Sequence, residues 1–286
     1  MSQWPPQLPD QSRKVAIVTG ANTGIGRVTA QELARAGARV YLACRNSDKA
    51  ASAAEDIRAE VPSADLALLP LDLGSMSAVR SAAENFLATG EPLHLLVNNA
   101  GLVAPGLTSD GFGMTFGVNH VGTALFTKLL LERLRSSAPA RIVTVASRAH
   151  MRASGIPFDA LRQPTSSGRS FVEYCESKLA NVLWSAELGR ALEGTGVTTY
   201  ALHPGVVASD VWRSVWPGVR HFIKLFMVSV EDGARTSLYC ATAPELAAQS
   251  GLYYANERER TPRNRGTDSQ LAAELWRRTE GWIAEE

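Results

Sequence analysis

The sequence predicts a doubly wound α/β protein: one mostly parallel, seven-stranded sheet with helices on both faces. Three observations lead there. Short β-rich segments alternate with helix-forming segments, joined by short links. The strand segments are nearly continuous apolar runs, such as Val15-Ala16-Ile17-Val18, as expected of strands buried on both faces. No repeat, low-complexity tract or linker divides the 286 residues, a length that one large α/β domain accommodates.

The elements follow in order. Residues 15–19 form the first strand, and a glycine turn leads into a helix over 27–36 that Gly37 ends. Strand 39–43 precedes helix 49–61, which Pro62 stops. Strand 66–71 leads to helix 76–87, and strand 93–97 to one long or broken helix over about 111–134. Strand 141–146, helix 173–192, strand 198–202 and helix 233–241 come next. A short strand at 252–254 and a helix at 270–283 close the chain. Residues 1–12, polar and proline-rich, read as a flexible arm before a single domain over 13–286. Two segments break the rhythm: 151–171, with Gly, Pro and Ser, and 210–231, with Trp212, Trp216, Phe222 and Phe226. Both follow C-terminal strand ends, where open α/β sheets bind ligands.

Composition narrows the function. The chain is 45% hydrophobic and 20% charged, enough to bury a core without staples or metals. A net charge of +1 gives nucleic acid no electrostatic footing. Cys44, Cys175 and Cys240 are far apart and form no metal-binding or disulfide pattern, which suggests a reducing, cytoplasmic compartment and no metal site. No run of about 18 apolar residues predicts a transmembrane helix. The first residues lack the apolar core of a signal peptide.

The glycine turn is Thr19-Gly20-Ala21-Asn22-Thr23-Gly24-Ile25-Gly26. Between a strand and a helix, this spacing permits a tight turn, close backbone approach to a pyrophosphate, and a helix N-terminus aimed at its charge. Gly20, Asn22, Thr23, Gly24, Ile25 and Gly26 are therefore candidate cofactor contacts in a Rossmann-type site. About twenty residues on, an acid normally selects the ribose 2′-hydroxyl of NAD. Strand two ends instead in Cys44-Arg45-Asn46. An arginine can pair with a 2′-phosphate, so Arg45, with Asn46 beside it, predicts NADP(H). A plain surface cation is the alternative for Arg45.

Tyr174 and Lys178 lie four residues apart on a predicted helix, with Cβ atoms about 5–6 Å apart. A free phenol titrates near pH 10, and a neighbouring cation favours its ionised form. The pair is thus a candidate acid/base centre, although by spacing alone it could be an ordinary helical pair. Ser147, at the end of strand five, can bond a substrate oxygen.

Together these motifs resemble the classical short-chain dehydrogenase/reductase family over roughly residues 13–255. The resemblance rests on Gly20, Gly24 and Gly26; Asp72 in Leu71-Asp72-Leu73; Asn98-Asn99-Ala100-Gly101; Asn119; Ser147; Tyr174; Lys178; and Pro204-Gly205. Within the family the chain looks most like the retinol dehydrogenase group. The phrases Leu42-Ala43-Cys44-Arg45, Leu93-His94-Leu95-Leu96, Ser177-Lys178-Leu179-Ala180-Asn181 and Leu202-His203-Pro204-Gly205 carry this, as does the spacing of 27 residues from Ser147 to Tyr174. The resemblance implies a catalytic set of Tyr174, Lys178, Ser147 and Asn119, with Lys178 also on the nicotinamide ribose and Asn119 holding a relay water. It further implies cofactor contacts from Asp72, Leu73, Asn99, Ala100, Gly101, Pro204, Gly205, Val207 and Ser209. A homodimer or homotetramer is a family habit, and Leu179, Leu183, Trp184 and Leu188 could serve core or interface.

For substrate, His150 lies three residues past Ser147, and Trp212, Trp216 and Phe222 lie in the aromatic segment. Val219, Phe222, Ile223 and Phe226 have amphipathic helical spacing, which fits a lid, core packing or a peripheral membrane patch. An aromatic lid implies a lipophilic aldehyde, ketone or alcohol. Cys175, His94 and His203 read as packing residues. Two other functions share the fold. One is a non-catalytic NADP(H)-binding regulator, which would not need the proton-transfer residues. The other is a sugar-nucleotide epimerase or dehydratase, usually longer at its C-terminus.

Overall fold

The computed structural model describes residues 4–205 and 229–284. Val207, Ser209, Trp212, Trp216, Phe222 and the amphipathic 219–226 segment lie outside the described residues. The strands are β1 Val15–Thr19, β2 Arg39–Cys44, β3 Leu66–Pro70, β4 Leu95–Asn98, β5 Ala140–Val145, β6 Val197–His203, β7 Leu252–Ala255 and β8 Arg258–Glu259. The helices are α1 Gly24–Arg35, α2 Ser47–Glu60, α3 Met76–Ala88, α4 Thr123–Ser136, α5 Ser170–Ala191, α6 Val230–Thr242 and α7 Ser269–Ala284.

The strands form one sheet in the order β3-β2-β1-β4-β5-β6-β7-β8. β1 to β7 pair in parallel, and β8 runs antiparallel on β7. The eighth strand is beyond the seven expected. It is two exposed residues long, joined to β7 through Asn256 and Glu257 at φ +54 and +57, the left-handed pair of a tight hairpin turn. From β1 the chain winds outward through β2 and β3, then crosses back to β4. The crevice between the C-terminal ends of β1 and β4 is therefore the topological switch point, where such sheets bind ligands.

The central strands feed two cores because successive side chains point to opposite faces. Ile17 and Leu96 face α3, α4, α5 and α7 with Phe86, Phe116 and Trp184. Val18, Leu42, Val97 and Val143 face α1, α2 and α6 with Leu33, Ile57 and Leu238. The helix expected over 111–134 is broken. A single α turn, Met114–Phe116, runs into a π-helical turn, Gly117–Gly122, and only then into α4.

Helix α7 lies across α4 and α5. Leu271, Leu275, Thr279 and Ile283 face inward, Trp276 stacks on Trp184 at 6.3 Å, and Lys128 pairs with Glu280 at 2.7 Å. Leu179, Leu183, Trp184 and Leu188 are accordingly core residues, each at most 3% exposed. The N-terminal arm is held rather than free over its described part. Trp4 and Leu8 pack on the second core, Arg235 covers the Trp4 ring at 5.4 Å, and Gln11 N–H donates to the Ala36 carbonyl at 2.8 Å. Its two apolar residues gain burial that a polar reading of the segment overlooks.

Candidate active site

The glycine turn closes the C-terminal end of β1. Gly20 takes a left-handed φ of +67 and donates its N–H to the Ala43 carbonyl at 2.8 Å, tying the turn to β2. A Cβ on Gly26 would overlap the Gly20 carbonyl and the Asn99 amide, so only glycine lets α1 approach β1 and β4 this closely. Thr23 occupies the N-cap position of α1 but its side chain makes no capping bond, and no acid occupies the first turn. The first N–H groups thus carry the positive end of the helix dipole towards the crevice. Backbone N–H groups of Ala21 and Asn22 donate to Cys44, whose thiol burial pushes up to about 11, so it stays protonated.

Thr19, which sequence reasoning passed over, joins the two walls. Its Oγ1 accepts the N–H groups of Asn99 and Ala100, each at 3.0 Å, and its carbonyl accepts Asn99 Nδ2 at 2.8 Å. In the sequence its only mark is a polar residue ending an apolar strand; its burial shows only in the fold. Asp72 holds the next turn, accepting the Gly74 N–H at 2.9 Å.

A cavity of about 750 Å³ follows the C-terminal edge of the sheet. The structure brings to its lining Gly20, Asn22, Thr23, Gly24, Ile25, Gly26, Arg45, Asp72, Leu73, Asn99, Ala100, Gly101, Ser147, Tyr174, Lys178, Pro204 and Gly205. Asn46 and Asn119 are not among them. Asn46 Oδ1 accepts the Lys49 N–H at 2.8 Å and caps α2.

Tyr174 and Lys178 share one face of α5. Lys178 Nζ stands 5.6 Å from the Tyr174 ring centroid and donates to the Val145 carbonyl at 2.8 Å. Burial brings the ammonium down to about 8. The Tyr174 phenol shares a hydrogen bond with Ser147 that favours its ionised form, yet burial is larger and holds the phenol above its ordinary value. The lowering expected from Lys178 does not emerge: burial dominates at Tyr174, because the pocket that brings the pair together also removes water from both groups. Asn119 lies on the π-helical turn and is fully buried. Its Oδ1 accepts the Leu102 N–H at 2.8 Å, and its Nδ2 donates to the Leu102 carbonyl at 3.0 Å and to Ser177 Oγ at 3.1 Å. Gly101 backs onto both groups: a Cβ there would come 3.3 Å from Lys178 Nζ and 3.4 Å from Asn119 Oδ1.

Two histidines exchange the places expected of them. His150 does not line the cavity. Its Nδ1 bonds the Ser147 carbonyl oxygen at 2.6 Å and its ring meets Tyr253 edge-on at 5.1 Å, so it supports Ser147 from behind. The turn Arg148–Arg152 after β5 rotates it inward, where burial lowers its pKa. His203 does line the cavity and accepts from Arg148 Nε at 2.9 Å. Burial, then Arg148 and His150, bring it down to about 3, so it is a neutral acceptor. Arg148, Met151, Arg152 and Phe171 complete the rim, with Arg152 over the Phe171 ring at 5.8 Å. Cys175 points away from the cavity, and burial raises its thiol.

Residues 14–158 match the short chain dehydrogenase family model. Human retinol dehydrogenase 12 is 46% identical over 278 residues, spanning 94% of this chain and 85% of that one. A crystal structure of a Mycobacterium paratuberculosis protein superposes with a TM-score of 0.77 at 31% identity, covering 98% of this chain and 97% of that one. The Pseudomonas aeruginosa protein RhlG, solved as an NADP active-site complex, gives 0.68 at 26% identity, covering 85% and 94%. The chain belongs to the short-chain dehydrogenase/reductase family. It is an oxidoreductase of the retinol dehydrogenase-like group.

Proposed function

We propose that this oxidoreductase uses NADP(H) to interconvert a lipophilic aldehyde or ketone and the corresponding alcohol, with Tyr174 exchanging the proton. One observation carries the reading: a single cavity has Tyr174, Lys178 and Ser147 on one wall and the glycine turn with the α1 N-terminus on the other. The Gly26 cradle, the uncapped α1 N-terminus and the acid-free first turn fit a pyrophosphate. Arg45, exposed at the cavity edge beyond β2, fits a 2′-phosphate there. RhlG, similar in fold and solved with NADP, supports the same choice.

When bound, the nicotinamide supplies or accepts the hydride. The chain's residues do the rest. Ser147 Oγ holds the substrate oxygen, and the Tyr174 hydroxyl donates its proton to that oxygen as negative charge develops. Lys178, protonated below about 8, stabilises the tyrosinate left behind. Likeness to the family gives Asn119, fully buried on the π-helical turn, the part of holding a relay water that returns the proton. In oxidation the same groups run in reverse, with Tyr174 as base. Val103, Met151 and Phe171, which line the same cavity as Ser147, supply apolar contact for the substrate, and similarity to retinol dehydrogenase 12 points the same way. The three free, buried cysteines accord with a cytoplasmic setting, and among the described residues no helix is long and apolar enough to cross a membrane.

An NADPH-oxidation screen over retinal, medium-chain aldehydes and polar carbonyls tests the substrate class. Turnover highest on the lipophilic members is expected. Tight NADPH binding with no turnover across the panel would favour the regulator reading instead. Arg45→Ala tests the cofactor choice: the NADPH/NADH ratio of kcat/KM falls at least about tenfold, the effect of losing a charge-assisted phosphate contact. An unchanged ratio removes Arg45 from that role.

A further inference from the structure

We infer that the C-terminal helix α7 positions the catalytic centre: the bond between Thr279 and His120 anchors the π-helical turn that carries Asn119, and through it the rotation of α5 that presents Tyr174 and Lys178. The inference rests on the catalytic reading proposed above. Three polar residues recur every fourth position on α5, Glu173, Ser177 and Asn181, and so form one stripe along the helix. Each takes a partner from residues 116–120. Glu173 Oε1 accepts the Phe116 N–H at 2.8 Å, Ser177 Oγ accepts from Asn119 Nδ2 at 3.1 Å, and Asn181 Oδ1 meets His120 Nδ1 at 3.3 Å. Tyr174 and Lys178 each follow one rung of this ladder by a single residue. A helix held along one stripe cannot turn about its axis, so the ladder sets the direction of the next stripe, where both catalytic side chains stand.

The last rung is completed from outside. With Asn181 Oδ1 accepting from Nδ1–H, His120 Nε2 is left as an acceptor, and the Thr279 hydroxyl of α7 lies 2.9 Å from it. Ser177 and Thr279 are fully buried, and His120 and Asn181 nearly so, at 1% and 3% exposed. No bulk water can replace the hydroxyl, and removing it leaves His120 Nε2 without a donor in an apolar site. Burial brings His120 down to about 4, so it stays neutral and the rung does not open near neutral pH. Trp282, one turn further along α7, meets Phe116 edge-on at 6.2 Å and Phe112 at 5.5 Å, closing the other end of the same turn. His120 and Thr279 touch neither the cavity nor the reacting atoms, so their role is positioning.

The test compares Thr279→Val, which keeps the shape and loses the hydroxyl, with Thr279→Ser, which keeps the hydroxyl. For NADPH-dependent carbonyl reduction, Thr279→Val is expected to lower kcat about tenfold, since small displacements of catalytic groups are costly. KM for NADPH should stay within about twofold, and Thr279→Ser should keep kcat within about twofold of wild type. Hydrogen exchange should quicken over residues 114–122 in Thr279→Val and stay unchanged in β1 and β2. Wild-type kcat in the valine variant, or an equal loss in the serine variant, overturns the inference. If the wild-type protein turns over no carbonyl, the proposed function fails and exchange decides the anchor separately: unaltered protection over 114–122 sinks it. Should the valine variant not fold, Thr279→Ala carries the same readouts.

Discussion

At Tyr174 and Lys178, burial works against charge on both side chains, so the pair's behaviour with pH follows from where the fold puts them. The Lys178 ammonium titrates at about 8 against an ordinary 10.5, because it is buried beneath β5. In the proposed reduction the protonated lysine is the competent form. The expected profile is therefore a kcat that is level below that value and declines as pH rises through about 8, read from steady-state rates at saturating substrate. A limb falling towards acid would contradict the role. The same shift touches stability with a definite sign. Between about 8 and 10.5 the unfolded chain holds the lysine proton and the folded chain does not, so this group makes folding more favourable as pH climbs across that window. Residues whose chemistry is set by type and local spacing were legible in the sequence: the glycines of the turn, the Tyr174/Lys178 pair, and Ser147 at a strand end. Thr19, Glu173 and His203 were not, because each acts on a partner distant along the chain. Thr19 bonds Asn99, 80 residues on; Glu173 bonds Phe116, 57 away; and His203 bonds Arg148, 55 away.

Among the elements, the turn joining β1 to α1 and the π-helical turn before α4 make the site. The first is specified by sterics. Gly26→Ala would drive a methyl into the Gly20 carbonyl and the Asn99 amide, and neither backbone nor anchored amide has room to yield. The expected cost is about 1–3 kcal/mol of stability by urea denaturation, the usual penalty of overpacking, together with weaker NADPH binding. Unchanged stability would mean that the turn relaxes freely. The second element left little trace in the sequence. Residues 114–136 are buried on nearly every side of the first three turns, so no apolar stripe marks where the helical period changes. π-Helical turns are short and frequent at functional sites. Here the turn brings Asn119 to Leu102 on one side and Ser177 on the other. Strand positions were legible to within a residue or two because parallel, doubly buried strands are apolar throughout; β8, with two exposed charged residues, offered nothing to read.

For the molecule as a whole, the sheet order places two crevice walls at the switch point, and α7 closes the opposite face of α4 and α5. The sequence foretold the doubly wound sheet and a C-terminal helix, while the surface under that helix was open to two readings. Leu179, Leu183, Trp184 and Leu188 look alike as core or as subunit interface until a covering element is seen. With α7 in place they form core. Leu275, fully buried at that contact, should lose about 2–5 kcal/mol on replacement by alanine, measured by chemical denaturation. A loss under about 0.5 kcal/mol would show that α7 contributes little to the fold.

Tyr174→Phe tests whether Tyr174 exchanges a proton with the substrate oxygen beside an NADP(H) site, as proposed. The measurement is kcat/KM for NADPH-dependent reduction of the best carbonyl substrate, with NADPH affinity measured in parallel. The expected loss is about 10²–10⁴-fold, the usual contribution of a positioned acid, with cofactor binding retained. Turnover undiminished in Tyr174→Phe would contradict it.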